Sequence, residues 1–283
     1  MQKVLMRKRI LKIQEIVGKK IDIFWSFDNS ILYNFQACPP NSISICHIVD
    51  LNQDFQFEKA ATTANICFGT SSFIVDKLKK SNSKSFFINH GVGHLPETQS
   101  VKWVQNFDKP LVIGYAGNLN IPYFDWELFA KLIDNNKDCD FHLVGPWSLD
   151  HRNSFLNGRS NVKWLGVVDS QELPDFYNSA DILTVTYKAD EHKEQLSNPH
   201  KFMEYLASGK VILSTYTDQY ADLKDLIVMS DRDGEFLALF STIKKSIKKF
   251  NSENLVNRRI AFASENSYFK QIERIEKILR DNL

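Results

Sequence analysis

A lysine and a glutamate stand three positions apart in the segment SNPHKFMEYLASGK, residues 197–210. Asn198 suits the N-cap of a helix, and Pro199 suits its first position, where a missing N–H costs nothing. Lys201 and Glu204 would then lie on the same side, because residues three apart are neighbours on a helix surface. The spacing fits a solvated ion pair. It also fits an ammonium that binds phosphate beside a carboxylate that accepts hydrogen bonds from sugar hydroxyls.

The remaining side chains of this helix divide into two faces. Lys201, Glu204 and Ser208 are expected along a polar edge. The apolar residues are expected to pack on a sheet: Phe202, Met203, Leu206 and Ala207.

Short apolar runs alternate with amphipathic segments along most of the chain. Such alternation is typical of parallel sheets covered by helices on both faces, so we predict an α/β protein. Two series of runs indicate two Rossmann-like domains. The predicted strands are residues 21–27, 42–49, 65–71, 84–91, 111–117, 141–145, 162–166, 182–187, 211–215 and 226–230.

We predict a first domain over residues 1–104, which opens with a predicted helix. A second, ligand-binding domain is predicted over residues 105–264. The apolar residues of segment 265–283 form one stripe, which predicts a final helix. This helix is expected to cross back to the first domain.

The composition narrows the class of protein. A hydrophobic fraction of 43% is that of a soluble globular chain, and a net charge of +1 argues against nucleic-acid binding. The sequence contains neither a signal peptide nor an apolar run long enough to cross a membrane. The four scattered cysteines are expected to be reduced thiols. The sequence contains no cluster of His and carboxylate residues that would indicate a metal site. We therefore expect a cytoplasmic protein.

Two lysine pairs, at residues 244–245 and 248–249, lie on a predicted helix near the C-terminus. They are typical of a solvated helix face. The alternative is peripheral contact with the anionic inner face of the cell membrane, to which clustered lysines are attracted.

Five segments together resemble the nucleotide-binding half of a GT-B glycosyltransferase of the family 4-like (group 1) type that assembles surface polysaccharides such as teichuronic acid. They are INHGVGHLP, VIGYAGNLN, FHLVGPW, NVKWLGVVDSQELPDFYNSADILTVTY and NPHKFMEYLASGKVILST. The resemblance is strongest over residues 111–215. It implies transfer of a hexose from a UDP- or GDP-sugar to a saccharide or lipid-linked acceptor, without a metal or another cofactor.

The resemblance also implies roles for single residues. Glu204 would hold the ribose, while Asn198, Pro199 and Lys201 would lie beside the diphosphate. The residues implied to complete the donor site are Gly117 and Asn118 in the first loop, Leu165, Gly166 and Val167 at the nucleobase, and Tyr187 in the donor pocket. From the residues alone, Tyr187 is equally well a core aromatic.

The sequence departs from the family pattern at three places. Leu196 stands where many relatives have a first glutamate, eight positions before Glu204. The loop GNLNIPYFDW has no basic residue to hold the diphosphate, which leaves Lys201 and the helix dipole to neutralise it. The resemblance also implies an incomplete first domain, because the family's first domain opens with a strand and this chain opens with a predicted helix. A partner chain would then complete it, or the acceptor site would differ.

A catalytic base is expected at a strand end of the first domain. Asp50 is the favoured candidate, because relatives tend to have an aspartate after the equivalent strand. Asp28 also fits, although it suits a helix N-cap, and His90 lies at the strand end before the linker. His47 is expected to be a buried histidine with satisfied nitrogens.

Two other functions remain open at this stage. One is a non-catalytic nucleotide-sugar-binding subunit of a glycosyltransferase complex, which the shortened first domain and Leu196 favour. The other is a nucleotide-sugar epimerase of the same fold, which needs more acid–base residues than the sequence shows.

Overall fold

The computed structural model of the protein describes residues 2–27, 33–50, 56–93, 109–188, 191–192, 198–230 and 232–283. The chain divides into two units. Met1–His90 and Gln271–Leu283 form the first, and Gly91–Lys270 form the second. The predicted boundary between residues 104 and 105 lies outside the described residues.

The first unit is built on a parallel sheet whose strands lie side by side in chain order. The strands are β1 (Ile23–Phe27), β2 (Ile43–Ile48), β3 (Ile66–Gly69) and β4 (Ser85–Phe87). The helices before and between them are α1 (Gln2–Val17), α2 (Phe57–Thr63) and α3 (Ser72–Lys79). Ser71 caps α3, because its side-chain oxygen accepts a hydrogen bond from the Ile74 N–H at 3.2 Å.

Apolar clusters lie on both faces of this sheet. On one face, Ile10 of α1 belongs to a cluster with Phe24 and Ile48. On the other face, Ile45 packs in a cluster with Ile275, which comes from the end of the chain. Residues of β2 alternate between the two clusters because successive strand side chains point to opposite faces.

The second unit contains a larger parallel sheet with strand order β10-β9-β8-β5-β6-β7. The strands are β5 (Val112–Ala116), β6 (Asp140–Val144), β7 (Val162–Trp164), β8 (Ile182–Val185), β9 (Val211–Thr215) and β10 (Ile227–Ser230). The chain places β6 and β7 on one side of β5, then returns to place β8 on the other side. The strand order therefore reverses between β5 and β8, as in Rossmann folds.

Helices connect these strands and end the chain. They are α4 (Trp126–Asp134), α5 (Leu149–Leu156), α6 (Leu173–Ser179), α7 (Lys201–Ala207), α8 (Asp233–Lys245), α9 (Ile247–Phe250), α10 (Glu253–Glu265) and α11 (Tyr268–Asn282). The second change of unit falls inside α11, so its last residues belong to the first unit.

One buried arginine joins three segments of the second unit. Arg259 of α10 is 1% exposed, and its guanidinium donates to three backbone carbonyl oxygens at 2.9–3.0 Å. The acceptors are Gly209 after α7, Leu226 before β10 and Phe250 at the end of α9. These bonds tie α10 to the end of α7.

The α/β prediction is confirmed, since each of the ten predicted runs contains a strand. The helix predicted near residues 235–250 is interrupted at Ser246, whose φ of −126° and ψ of 31° leave the helical region. Lys244 is not a freely solvated cation, because it pairs with Asp138 at 2.6 Å. Among the described residues, no helix is long and apolar enough to cross a membrane.

Candidate functional site

The reversal point of the second sheet brings two chain segments to one edge. β5 and β8 are parallel neighbours, and Gly117 follows β5 while Tyr187 lies just beyond β8. Ligands of open parallel sheets bind beyond the carboxyl ends of the strands at such a point. The side chain of Lys201, from the first position of α7, reaches the same place.

Lys201 lies inside this edge and not on the surface, since the residue is 5% exposed. Its Nζ donates to the Tyr115 hydroxyl at 3.0 Å and to the Tyr187 hydroxyl. The nitrogen lies 4.2 Å and 4.7 Å from the centres of the same two rings. Burial lowers the pKa of Lys201 to about 7, although the charge of Glu204 acts in the opposite direction.

Glycines allow the backbone to approach this lysine. A Cβ atom on Gly117 would lie 2.6 Å from Lys201 Nζ, and one on Gly145 would lie 2.0 Å from the Gly117 carbonyl oxygen. The φ angles are +153° and +128°, which other residues rarely adopt. The Gly145 N–H donates to the Gly166 carbonyl at 2.8 Å. The three glycines therefore form one closely packed backbone layer beside Lys201.

Glu204 lines a cavity, and one of its carboxylate oxygens accepts a hydrogen bond from Tyr177. The Tyr177 hydroxyl donates to Glu204 Oε2 at 2.5 Å. Burial, followed by the nearby Tyr205 and Glu204, raises the pKa of Tyr177, so its hydroxyl remains a donor at neutral pH. Other lining residues are Val92, Gly93, Ser170, Leu173, Pro174, Asn178, Ala207 and Ser208. A carboxylate oriented in this way can accept hydrogen bonds from ligand hydroxyls.

Sequence reasoning missed Tyr177 as a site residue. The only sequence signal for Tyr177 was that it lies in segment 161–187, which resembles the glycosyltransferase family. The structure places it in α6, the helix before β8. Its partner Glu204 is 27 positions away, so no local spacing pattern joins them.

Further hydrogen bonds fasten α7 to its surroundings. Tyr205, in the middle of the helix, accepts a hydrogen bond from the Ala116 N–H at 2.9 Å. Asn198, just before the helix, is buried, and its Oδ1 accepts from the Tyr220 hydroxyl at 2.6 Å. The helix is thereby held against the end of β5.

Two expectations for this helix are wrong. Lys201 and Ser208 do not form a polar edge, because both are buried where α7 packs against the sheet and α10. Asn198 is not the N-cap, since α7 begins at Lys201 with His200 as the cap residue. The turn before it is held by a bond from the Phe202 N–H to the carbonyl of Pro199 at 3.2 Å.

The residues expected at the nucleobase do not line the Glu204 cavity. Leu165 and Val167 are 49% and 69% exposed, and Gly166 is connected to the glycine layer through Gly145. Asn118 is exposed, and its Oδ1 accepts from the Asn120 N–H at 2.9 Å, which shapes the loop after β5.

Tyr187 also lines a second, polar cavity. This cavity lies at the carboxyl ends of β8, β9 and β10, and its lining carries charges of both signs, including Asp125, Lys188, Arg232 and Asp233. The Tyr187 N–H donates to Thr215 Oγ1 at 3.0 Å. The tyrosine therefore belongs to the buried core, contacts Lys201 through its hydroxyl and lines the second cavity.

In the first unit, the candidate bases follow strands of one sheet. Asp50 is exposed beyond β2, and His90 is half-buried beyond β4, at the same carboxyl edge. Asp28 lies outside the described residues. His47 is buried as expected, but its ring nitrogens have no hydrogen-bond partner among the described residues. Burial, aided by His90, lowers the pKa of His47 to about 4.

Comparisons with known proteins identify the family of the second unit. Residues 110–242 match the family model described as glycosyl transferases group 1. Residues 110–242 are a group 1 glycosyl transferase domain. This domain includes β5 to β10 and α7, and therefore both Lys201 and Glu204 with their tyrosine partners.

Similar proteins were found by sequence and by structure. The chain is 26% identical over 168 residues to the putative teichuronic acid biosynthesis glycosyltransferase TuaH of Bacillus subtilis (strain 168), across 57% of this chain. The match spans 42% of the length of TuaH. The apo lipopolysaccharide outer core galactosyltransferase WaaB aligns with a TM-score of 0.73 at 13% identity, over 99% of this chain and 80% of WaaB.

A second solved structure is similar to the same extent. Anabaena Alr3699/HepE, in complex with UDP and glucose, aligns with a TM-score of 0.71 at 12% identity, over 96% of this chain and 80% of HepE. Both solved structures share the fold, which is the GT-B arrangement of two parallel-sheet α/β domains.

Proposed function

We propose that this protein transfers a sugar from a UDP- or GDP-sugar to a saccharide or lipid-linked acceptor in surface polysaccharide biosynthesis. The observation that carries the proposal is the placement of Lys201 at the reversal point of the second sheet, against Gly117. A cation beside a bare loop backbone at this position suits the diphosphate of a nucleotide. The group 1 glycosyl transferase domain supports the same chemistry.

Each part of the donor has a proposed binding group in the second unit. Lys201 binds the diphosphate, with the backbone of Gly117 and Asn118 beside it. Glu204, oriented by Tyr177, accepts hydrogen bonds from the ribose hydroxyls, and the exposed segment 165–167 borders the base. The proposed sugar is a hexose. UDP and glucose in the HepE structure support this assignment by analogy.

The proposed transfer uses no metal or other cofactor, because Lys201 supplies positive charge for the leaving diphosphate. Within the described residues, no group of three or more His, Cys, Asp or Glu side chains suits a metal ion. If donor turnover is lost in EDTA and restored by Mg²⁺ or Mn²⁺, this part of the proposal is wrong.

Nucleotide titration by calorimetry tests the donor site. UDP or GDP should bind the wild type, and Glu204→Ala should bind at least about tenfold more weakly, because the ribose acceptor is gone. Tyr177→Phe should weaken binding by several-fold, since it removes only the orienting bond. The matched control is Glu253→Ala, an exposed glutamate at the start of α10. Equal binding by wild type and Glu204→Ala would refute the assignment.

A turnover assay tests the catalytic residues proposed in the first unit. Asp50 is the proposed base, and His90 at the same edge is the second candidate. Asp50→Asn should bind the nucleotide normally but lose donor hydrolysis and transfer, because an amide cannot take the acceptor proton. Unchanged turnover in Asp50→Asn would exclude Asp50 as the base and direct the same experiment to His90.

A second candidate function is that of a subunit in a glycosyltransferase complex. The observation that favours it is the exposed face of β1, the edge strand of the first sheet in the described chain. Ile23, Trp25 and Phe27 are 46%, 37% and 55% exposed there, although parallel sheets are normally covered on both faces. A partner chain would cover this face. Nucleotide binding without any turnover by the purified chain would favour this function over the enzyme.

The proposed place of action is the cytoplasm, at the inner face of the cell membrane. Helix α1 carries five basic residues and one acidic residue, and its Leu5, Leu11 and Ile16 are exposed between them. Lys245, Lys248 and Lys249 are also exposed. Each lysine near an anionic surface contributes about 1 kcal/mol. Cosedimentation with phosphatidylglycerol vesicles but not phosphatidylcholine vesicles is expected, and equal recovery with both would refute the membrane contact.

A further inference from the structure

The side-chain nitrogen of Lys201 is buried, and among the described residues it donates to hydroxyls and forms no ion pair with a carboxylate. In the described chain its hydrogen-bond partners are the hydroxyls of Tyr115 and Tyr187. Hydroxyls and aromatic faces can solvate an ammonium, but they do not neutralise its charge. Burial therefore favours the neutral amine, which is why the pKa of Lys201 is lowered to about 7.

The titratable groups around Lys201 come from every element packed against it. They are Tyr115 of β5, Tyr123 before α4, Tyr187 after β8 with His192 beyond it, and Tyr205 and Glu204 of α7. Burial raises the pKa of Tyr115, Tyr187 and Tyr205, so these three are uncharged at neutral pH. The Glu204 carboxylate accepts a hydrogen bond from the Tyr177 hydroxyl. The loop after Gly117, with sequence NLN, adds no charge.

The uncharged loop backbone at Gly117 lies beside this nitrogen. A Cβ atom at Gly117 would lie 2.6 Å from Nζ and 2.9 Å from the Tyr115 hydroxyl oxygen, so the bare backbone touches both groups. An anion at this loop would lie within reach of Nζ, and it would raise the affinity of the amine for a proton.

We propose that Tyr115 and Tyr187 are positioning residues that hold Lys201 for an incoming anion, and that binding of a nucleoside diphosphate is coupled to uptake of a proton by Lys201. The inference rests on the proposed function, because it identifies the anion with the diphosphate of the donor. The proton comes from the solvent and adds to the lone pair of Nζ. It stays there while the diphosphate supplies the counter-charge.

This coupling makes affinity depend on pH in a defined direction. As pH rises above about 7, the free protein must take up a proton to bind, so affinity falls by up to about tenfold for each pH unit. Tyr115→Phe and Tyr187→Phe keep the aromatic rings but remove the hydroxyls that accept hydrogen bonds from the Lys201 ammonium. Each should move the fall in affinity to a lower pH. The control Tyr268→Phe, at a tyrosine that is 60% exposed, should not move it.

Calorimetry in two buffers measures the proton directly. UDP and GDP are titrated near pH 8 in Tris and in HEPES, whose ionisation enthalpies differ, and the difference in binding enthalpy gives the number of protons exchanged. We expect close to one proton taken up by the wild type and none by Lys201→Met. The phenylalanine variants provide the same test through the pH profile if Lys201→Met does not fold.

The outcomes separate this inference from the function on which it rests. Proton uptake by the wild type that is absent in Lys201→Met supports the coupling. Nucleotide binding with no proton exchange, or with a pH profile that the tyrosine substitutions leave in place, overturns the coupling and retains the donor site. Absence of binding by either nucleotide overturns the donor site and the coupling together.

Discussion

Replacing Lys201 by methionine should change how the stability of the protein depends on pH. Methionine matches the length of the buried side chain but binds no proton. In the wild type, the pKa of Lys201 is about 7 in the folded state, compared with 10.5 for an exposed lysine in the unfolded chain. Between these values the unfolded chain carries a proton that the folded chain lacks, so the free energy of unfolding rises with pH.

The size of the effect follows from the two pKa values. Each unit of pKa difference corresponds to about 1.4 kcal/mol, so integration from about pH 6.5 to about pH 9.5 gives a gain of about 3 kcal/mol for the wild type. Lys201→Met should lack this gain. Its stability relative to the wild type should therefore be greatest near pH 6.5 and decrease by about 3 kcal/mol as pH rises to about 9.5.

Urea unfolding followed by tryptophan fluorescence measures this difference, because Trp126, Trp147 and Trp164 all belong to the second unit. Lys224→Met, at an exposed lysine of the same unit, is the control and should follow the wild type at every pH. Parallel curves for the wild type and Lys201→Met would show that the folded protein keeps Lys201 charged, and the burial argument would then fail.

Other substitutions test the packing around the site and in the first unit. Arg259→Met should cost about 3–5 kcal/mol in urea unfolding, because three carbonyls lose a charged donor, whereas the exposed Arg258→Met should cost under about 1 kcal/mol. Gly117→Ala should lower UDP or GDP affinity at least about tenfold in calorimetry while circular dichroism stays native, because its Cβ would displace the buried amine. Gly158→Ala, at a φ of +77° with open space around it, should not lower affinity. His47→Leu should remove an acid-dependent loss of about 3 kcal/mol between the exposed pKa of 6.5 and the buried pKa of about 4, since only the unfolded wild type binds a proton in that range; equal acid sensitivity of both proteins in urea unfolding would contradict this.

The two sheets could be predicted because their signal is local. A strand of a parallel sheet is buried on both faces, so it appears as a short continuous apolar run wherever it lies in the chain. The runs that become β5 and β8 were therefore recognisable separately. Their adjacency depends on the strand order, which no single run contains.

The helix containing Lys201 and Glu204 shows what local spacing leaves open. The sequence determined that the two residues share one region of a short helix after a strand, and the family-like segments associated that helix with a nucleotide. Only the tertiary structure decided that Lys201 is buried. The helix packs on both the sheet and α10, and helical periodicity cannot distinguish a second packed face from a solvated one.

The partners of the two charged residues also come from distant positions. Tyr115 lies 86 positions from Lys201, and Tyr177 lies 27 positions from Glu204. Such pairs form when separate strands and helices converge at one edge of the sheet, and no spacing within a single element encodes them. The sequence by itself determined the residue types available for the chemistry, and the tertiary structure decided which of them are buried, charged and in contact.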